Sequence, residues 1–478
     1  MPSELDPLLP HNDGSPEIIR DGDVKDIASD RYSNENPNGV ATSPLRNLLA
    51  MFTFAVGFAL FIAWLSLGVG RASSPAPKSP AGDVTARVNR ILSTNPLIDG
   101  HNDLAFLIRY IYGNRIYNST FTNRFERDGL EMHVDLPRLH AGKVGGTFWS
   151  AFVLCPTNGT DFSDGNYAHA VSATLSQIDL LRRLTAAYPD VFSSPDLNSS
   201  TAADAFDIHH RLISPIGIEG LHQIGNSFSN LRLYYSLGVR YATLTHNCHN
   251  EYADAALVTN ASGQTVASTP LWGGVSQIGQ TLIHEMNRLG MLVDLAHVSK
   301  DTMIDVLGGR PEKWTGSRAP VVFSHSSAFA LCPHPRNVAD DVLELVKRTN
   351  SLVMVNFSPD FISCIPSNST TGLPDFYPPN STVHQVARHV KYIGDTIGYH
   401  HVGLGSDFDG ILETPRGLED VGKYPDLISE LLEMGVTDEE ASWLVGPNVL
   451  RVWRDADAVA SEMKAEAVKP AEDTVKEL

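Results

Sequence analysis

Basic charge is what this sequence has least of for its length. Against 55 Asp and Glu stand only 36 Lys and Arg, a formal net charge of −19 over 478 residues. A nucleic-acid binder needs a basic patch to neutralise phosphates, so the balance argues against that class of partner. Cysteine is scarce too. Cys155, Cys248, Cys332 and Cys364 are the full set, and none forms a C-x-x-C pair, which argues against a cysteine zinc cluster. No G-x-G-x-x-G follows the first apolar run, so a doubly wound nucleotide-binding sheet lacks its signature. No G-x-S-x-G is present to supply a serine nucleophile. No apolar C-terminal run is present to signal a GPI-type lipid anchor.

What is present begins with a composition shift. Residues 1–47 hold nine Asp/Glu, four Lys/Arg and many Ser, Asn and Pro, the composition of a disordered tail. Leu48 to Gly70 then runs for 23 residues without a charge, bracketed by Arg46 and Arg71. At about 1.5 Å per residue, such a helix crosses a hydrocarbon core of roughly 30 Å. Residues 71–85, rich in Ser, Pro and Ala, read as a stalk. Asn118, Asn158, Asn198, Asn260, Asn368 and Asn380 each open an N-x-S/T sequon, and all follow the apolar run, as do the four cysteines. The expectation is a single-pass type II membrane protein with a cytosolic N-terminus and a lumenal or extracellular domain. Asn356 also matches a sequon but lies inside an apolar run, so it is expected to be buried and unmodified.

From residue 86 to 466 short apolar runs alternate with helical patterns. The runs are Pro96 to Gly100, Gly146 to Leu154, Pro215 to Glu219, Arg240 to His246, Met291 to His297, Pro320 to His325, Leu352 to Phe357 and His401 to Asp407. Helical patterns include Gln277 to Leu289, Asp340 to Thr349 and Val383 to Ile397. Strand and helix repeated about eight times imply an α/β fold of the (β/α)8 TIM-barrel type. Thr437 and Glu440 form a capping box, and Pro447 can open a covering helix toward Glu466. Residues 467–478 are charged and expected to fray.

Barrel enzymes work at the carboxyl ends of their strands. Those ends carry His101 with Asp103, Glu219, His246, His297, His325 and Asp407. Six of eight strands thus terminate in a residue able to hold a metal or move a proton. Imidazole nitrogen with carboxylate oxygen suits zinc, and also manganese or iron. The donors exceed what one tetrahedral ion requires, so a carboxylate shared by two metals is expected, and Glu219 is the candidate. Two ions about 3.5–4 Å apart can hold a hydroxide and polarise a carbonyl together. His246 can then donate to an oxyanion, Asp407 can pass a proton to a leaving amine, and Arg336 can bind a substrate carboxylate bidentately.

These segments resemble one family. Asp99-Gly100-His101-Asn102-Asp103-Leu104 is similar to the opening motif of the renal, or membrane, dipeptidases. Ile218-Glu219-Gly220, Leu244-Thr245-His246-Asn247-Cys248, Asp294-Leu295-Ala296-His297-Val298-Ser299, Phe323-Ser324-His325-Ser326-Ser327, Arg336-Asn337-Val338 and Gly405-Ser406-Asp407-Phe408-Asp409-Gly410 continue it in order. The resemblance implies a (β/α)8 barrel with two zinc ions that cleaves dipeptides bearing a free C-terminal carboxylate. Cysteinyl-glycine and dipeptides ending in a D-residue are among the substrates it implies. By position it implies that His101 and Asp103 bind one zinc, His297 and His325 the other, with Glu219 bridging. It places His246, Arg336 and Asp407 on the substrate, pairs Cys155 with Cys248 and Cys332 with Cys364, and implies a homodimer. Two departures stand out. Mammalian members use a signal peptide and a lipid anchor where this chain has an N-terminal apolar run. After Asn356-Phe357, Ser358 and Phe361 depart from the residues common in the family. The alternatives are another binuclear metal amidohydrolase on the same barrel, or an inactive surface protein that keeps the fold.

Overall fold

The computed structural model describes residues 83–260 and 262–473. Eight parallel strands close into a barrel: β1 (Leu97–Asn102), β2 (Val144–Ser150), β3 (Ile216–Glu219), β4 (Val239–Thr243), β5 (Leu292–Asp294), β6 (Val322–Phe323), β7 (Leu352–Val355) and β8 (Val402–Leu404). Each pairs with its sequence neighbours, and β1 closes the ring against β8 through the Asp99–Leu404 register. Every strand residue is buried, which is why the strands read as unbroken apolar runs. The expected TIM-type barrel is therefore present. The tail and the apolar segment 48–70 lie outside the described residues, and among those described no helix is long and apolar enough to cross a membrane.

The outer helices begin where the sequence supplies caps. Ser276 Oγ accepts from Gly279 N ahead of Gln277–Leu289, and Thr382 caps Val383–Ile397. Thr437 and Glu440 form a complete capping box. The helix Pro447–Ala465 covers the floor. Its Val449, Val452, Trp453 and Ala456 pack with the inward residues Ile98, Phe148, Tyr241, Leu292, Val322 and Met354. Trp453 lies 5.7 Å from Phe148, and Phe148 5.4 Å from Tyr241, so aromatic rings fill the barrel from its base upward. The last described residues hydrogen-bond back to the domain. Asp473 accepts from Phe228 N and Ser229 N, and Glu285 accepts from Ala471 N.

Two glycines make room at the mouth. A Cβ on Gly100 or Gly405 would meet the Ser324 carbonyl oxygen at 2.5 or 1.8 Å. Both expected disulfides are formed, Cys155–Cys248 and Cys332–Cys364.

Candidate functional site

The strand-end residues converge at the carboxyl-terminal rim, although most sit just beyond the ladder. β4 ends at Thr243, three residues before His246; β5 at Asp294, before His297; β6 at Phe323, before His325; and β8 at Leu404, before Asp407. The chain leaves extended geometry to turn these side chains inward. His297 (φ 65°) and Asp407 (φ 69°) are left-handed, a conformation that costs a non-glycine residue about 1–3 kcal/mol and that gathers at functional sites. Asp103 lies just past β1 as the N-cap of the helix Leu104–Tyr112.

His101 Nε2 lies 3.0 Å from Asp103 Oδ2, 3.5 Å from Glu219 Oε2 and 4.0 Å from Asp407 Oδ1. The other Glu219 oxygen, Oε1, is 2.9 Å from His297 Nε2 and 3.5 Å from His325 Nε2. One carboxylate thus spans two clusters, with a different oxygen facing each. His246 lies beside the second, its ring 4.4 Å from that of His297. Ligand atoms of three sets fall within 4.8 Å of one another: His101, Glu219 and His325; Glu219, His246 and His297; His101, Asp103 and Asp407. Sequence reasoning kept His246 apart from metal; the structure brings it within reach of the Glu219–His297 pair.

The surrounding hydrogen bonds decide what these histidines offer. Asn247 Oδ1 accepts from His297 Nδ1 at 3.0 Å. Ser324 Oγ donates to Asp294 Oδ2 at 2.7 Å and so accepts from His325 Nδ1 at 2.8 Å. Each ring therefore carries its proton on Nδ1 and turns the Nε2 lone pair inward. The two Nε2 atoms are 3.1 Å apart, and both face Glu219 Oε1. Three lone pairs aimed at one point repel one another unless a cation lies between them, so the donor set fits a divalent metal. Burial first, then nearby positive groups including Arg336, pushes His246, His297 and His325 well below the usual histidine range and keeps them neutral. Burial, reinforced by Asp103 and Glu219 against the opposing pull of His101, raises the Asp407 carboxyl to about 7.

Arg336 is 1% exposed, and none of its three side-chain nitrogens has a hydrogen-bond partner among the described residues. Its guanidinium carbon lies 5.2 Å from the Phe361 ring centroid. The Cys332–Cys364 disulfide joins the segment carrying Arg336 to the segment carrying Phe361. Burial lowers the Arg336 pKa to about 10, which leaves it charged at neutral pH. It can accept a planar anion through several donors at once.

Sequence reasoning missed the residues behind the rim. Tyr241 holds His101 Nδ1 at 2.8 Å. Asp99 accepts from Ser406 N, Ser406 Oγ and His101 N, and Asp294 accepts from Ser324 N, Ser324 Oγ and Ala296 N. Two buried carboxylates thus clamp opposite sides of the mouth in the same manner. The Asp-x-His spacing was a possible signal for the first; nothing in the sequence marked Tyr241.

The family model for membrane dipeptidases (peptidase family M19) matches residues 85–467. A protein of Aspergillus oryzae described as dipeptidase aclJ is 44% identical over 406 residues, 84% of this chain and 85% of that one. An uncharacterised dipeptidase of Schizosaccharomyces pombe is 44% identical over 373 residues, 77% of this chain and 82% of its own length. Among solved structures, the probable dipeptidase PvdM of Pseudomonas aeruginosa superposes with a TM-score of 0.64 at 19% identity, covering 79% of this chain and 99% of that one. A Rhodobacter sphaeroides metallopeptidase, crystallised with a phosphinate mimic of the dipeptide L-Ala-D-Ala, gives 0.60 at 23%, covering 76% and 99%. These two carry the fold. The family match and the close relatives carry the activity: the chain belongs to the membrane dipeptidase family, peptidase family M19, and is a metal-dependent dipeptidase.

Proposed function

We propose that the chain uses two zinc ions to hydrolyse dipeptides with a free C-terminal carboxylate, cysteinyl-glycine and dipeptides ending in a D-residue among them. His101 and Asp103 would hold one ion, His297 and His325 the other, with Glu219 shared. Bound there, the ions supply Lewis-acid polarisation of the scissile carbonyl and make water acidic enough to yield a nucleophile near neutral pH.

The chain's own residues do the rest. Arg336 takes the substrate carboxylate with nitrogens that have no hydrogen-bond partner among the described residues, fixing the peptide's direction. His246 points its ring toward the Glu219–His297 side, where it can donate to the carbonyl oxygen as charge develops. Asp407, beside His101, accepts a proton from the attacking water and returns it to the leaving nitrogen. The observation that carries this reading is the pairing of a carboxylate split between two histidine clusters with a buried, unpartnered arginine. A dipeptide panel assayed on the purified domain before and after chelation tests it. Turnover lost on chelation, restored by zinc and confined to free-carboxylate substrates is the expected result. Equal turnover of C-terminally amidated dipeptides would favour a broader amidohydrolase.

Segment 48–70 is proposed as a type II anchor that places the domain on the lumenal or extracellular side. Two disulfides and the exposure of Asn118, Asn158, Asn198, Asn368 and Asn380 support that orientation, because oxidised cysteines and reachable sequons suit such a compartment. Homodimerisation is proposed from the family resemblance alone. Sensitivity of the chain to glycosidase in membrane fractions tests the orientation.

A further inference from the structure

β7 is one of two strands, with β2, whose end carries no metal-ligating or proton-moving side chain. β7 stops at Val355, and Asn356 follows it, wholly buried at the rim. Its sequence context, Asn-Phe-Ser, reads as a glycosylation sequon, but 0% exposure rules out modification of the folded chain. Both ends of its amide are used. Oδ1 accepts from Ser358 N, and Nδ2 donates to Asp407 Oδ2 at 3.1 Å. The first bond fixes the orientation of the amide: Ser358 N is a donor, so the atom facing it is oxygen, and the atom facing Asp407 must be the NH2 group. Asn356 is anchored through its backbone as well, its carbonyl accepting from Ser327 Oγ at 3.1 Å.

Asp407 needs such a hold. Its backbone is left-handed, and its backbone N donates to His101 O. With Oδ2 engaged by Asn356, Oδ1 is the oxygen left facing the site, 4.0 Å from His101 Nε2. We infer that Asn356 is a positioning residue for the hydrolysis: its amide N–H selects which Asp407 oxygen meets the reacting water and leaving nitrogen. The inference rests on the proposed role of Asp407 as proton carrier.

Asn356→Ser isolates the effect. The substitution keeps a short oxygen near Ser358 N but is too short to donate to Asp407, and it adds no charge to the site. The expected result is a fall in kcat of about 10- to 100-fold, the size of a lost hydrogen bond to a charged group. KM stays within about threefold, because Arg336 still binds substrate, and metal content by elemental analysis is unchanged. Combined with Asp407→Asn, the second substitution lowers kcat no further, since residues that act through one another do not add. If Asn356→Ser does not fold, Asn356→Ala is used; it likewise offers Asp407 no donor and carries the same expectations. An unchanged kcat, a loss confined to KM, or a fully additive loss in the double variant overturns the inference while leaving Asp407's role intact. Full activity of Asp407→Asn alone overturns both.

Discussion

Arg336→Met separates what the arginine does for substrate from what it costs the fold. The guanidinium is 1% exposed, and none of its three nitrogens has a hydrogen-bond partner among the described residues. The fall of its pKa to about 10 corresponds to roughly 3 kcal/mol against the charged form in the folded chain. Asp407 and Glu219 oppose burial but do not cancel it. Met fills a similar volume without charge, so the substrate-free protein gains about 1–3 kcal/mol of stability. In a domain of this size that is a rise in Tm of a few degrees at roughly 2 °C per kcal/mol. Binding moves the other way. Loss of a buried, charge-assisted pair to the substrate carboxylate costs about 2–5 kcal/mol, a drop in kcat/KM of roughly 30- to several-thousand-fold, carried mainly by KM. Thermal melts and steady-state kinetics on one preparation read both signs. A variant less stable than the parent, or one with unchanged KM, refutes the reasoning.

Two further outcomes follow from other parts of the fold. His389 is buried, accepts from Ala328 N at Nδ1 and donates from Nε2 to Ile362 O; burial depresses its pKa to about 4. The native state therefore needs the neutral ring. Its stability contribution is complete above the unfolded value of about 6.5 and is lost as pH falls toward 4, by about 2 kcal/mol at pH 5. His389→Gln, compared with the parent by urea melts at pH 7 and pH 5, should lack that increment; parallel losses in the two proteins would contradict it. Replacing Cys332 and Cys364 together by Ala opens a loop of 32 residues, worth about 3–4 kcal/mol by loop-closure entropy. It should also raise KM by loosening Phe361 from Arg336, whereas a stability loss with KM unchanged would detach the disulfide from binding.

The barrel was legible because its strands are buried on both faces and its helices carry serine and threonine caps. All eight strands fall within the apolar runs read from the sequence or one to two residues beyond them. His101 and Glu219 were legible as strand residues. His297, His325 and Asp407 were legible as polar ends, although the strands stop short of them, because a left-handed turn leaves no mark on a one-dimensional pattern. The supporting residues were not legible. Tyr241 and Asp294 sit at inward strand positions, where the sequence reads only strand content. Asn356 was legible only as a sequon match expected to be buried and unmodified, with nothing to mark its bond to Asp407. Arg336 could equally have been a surface cation until its burial was known.

The most direct test is the metal content of Glu219→Gln beside that of the parent, measured by elemental analysis on protein equilibrated with zinc. Gln keeps the shape but loses the charge that lets one side chain serve His101 on one oxygen and His297 and His325 on the other. The account expects two ions per chain in the parent, no more than one in the variant, and no measurable turnover of dipeptides by the variant. Two firmly held ions and undiminished turnover in Glu219→Gln would contradict it.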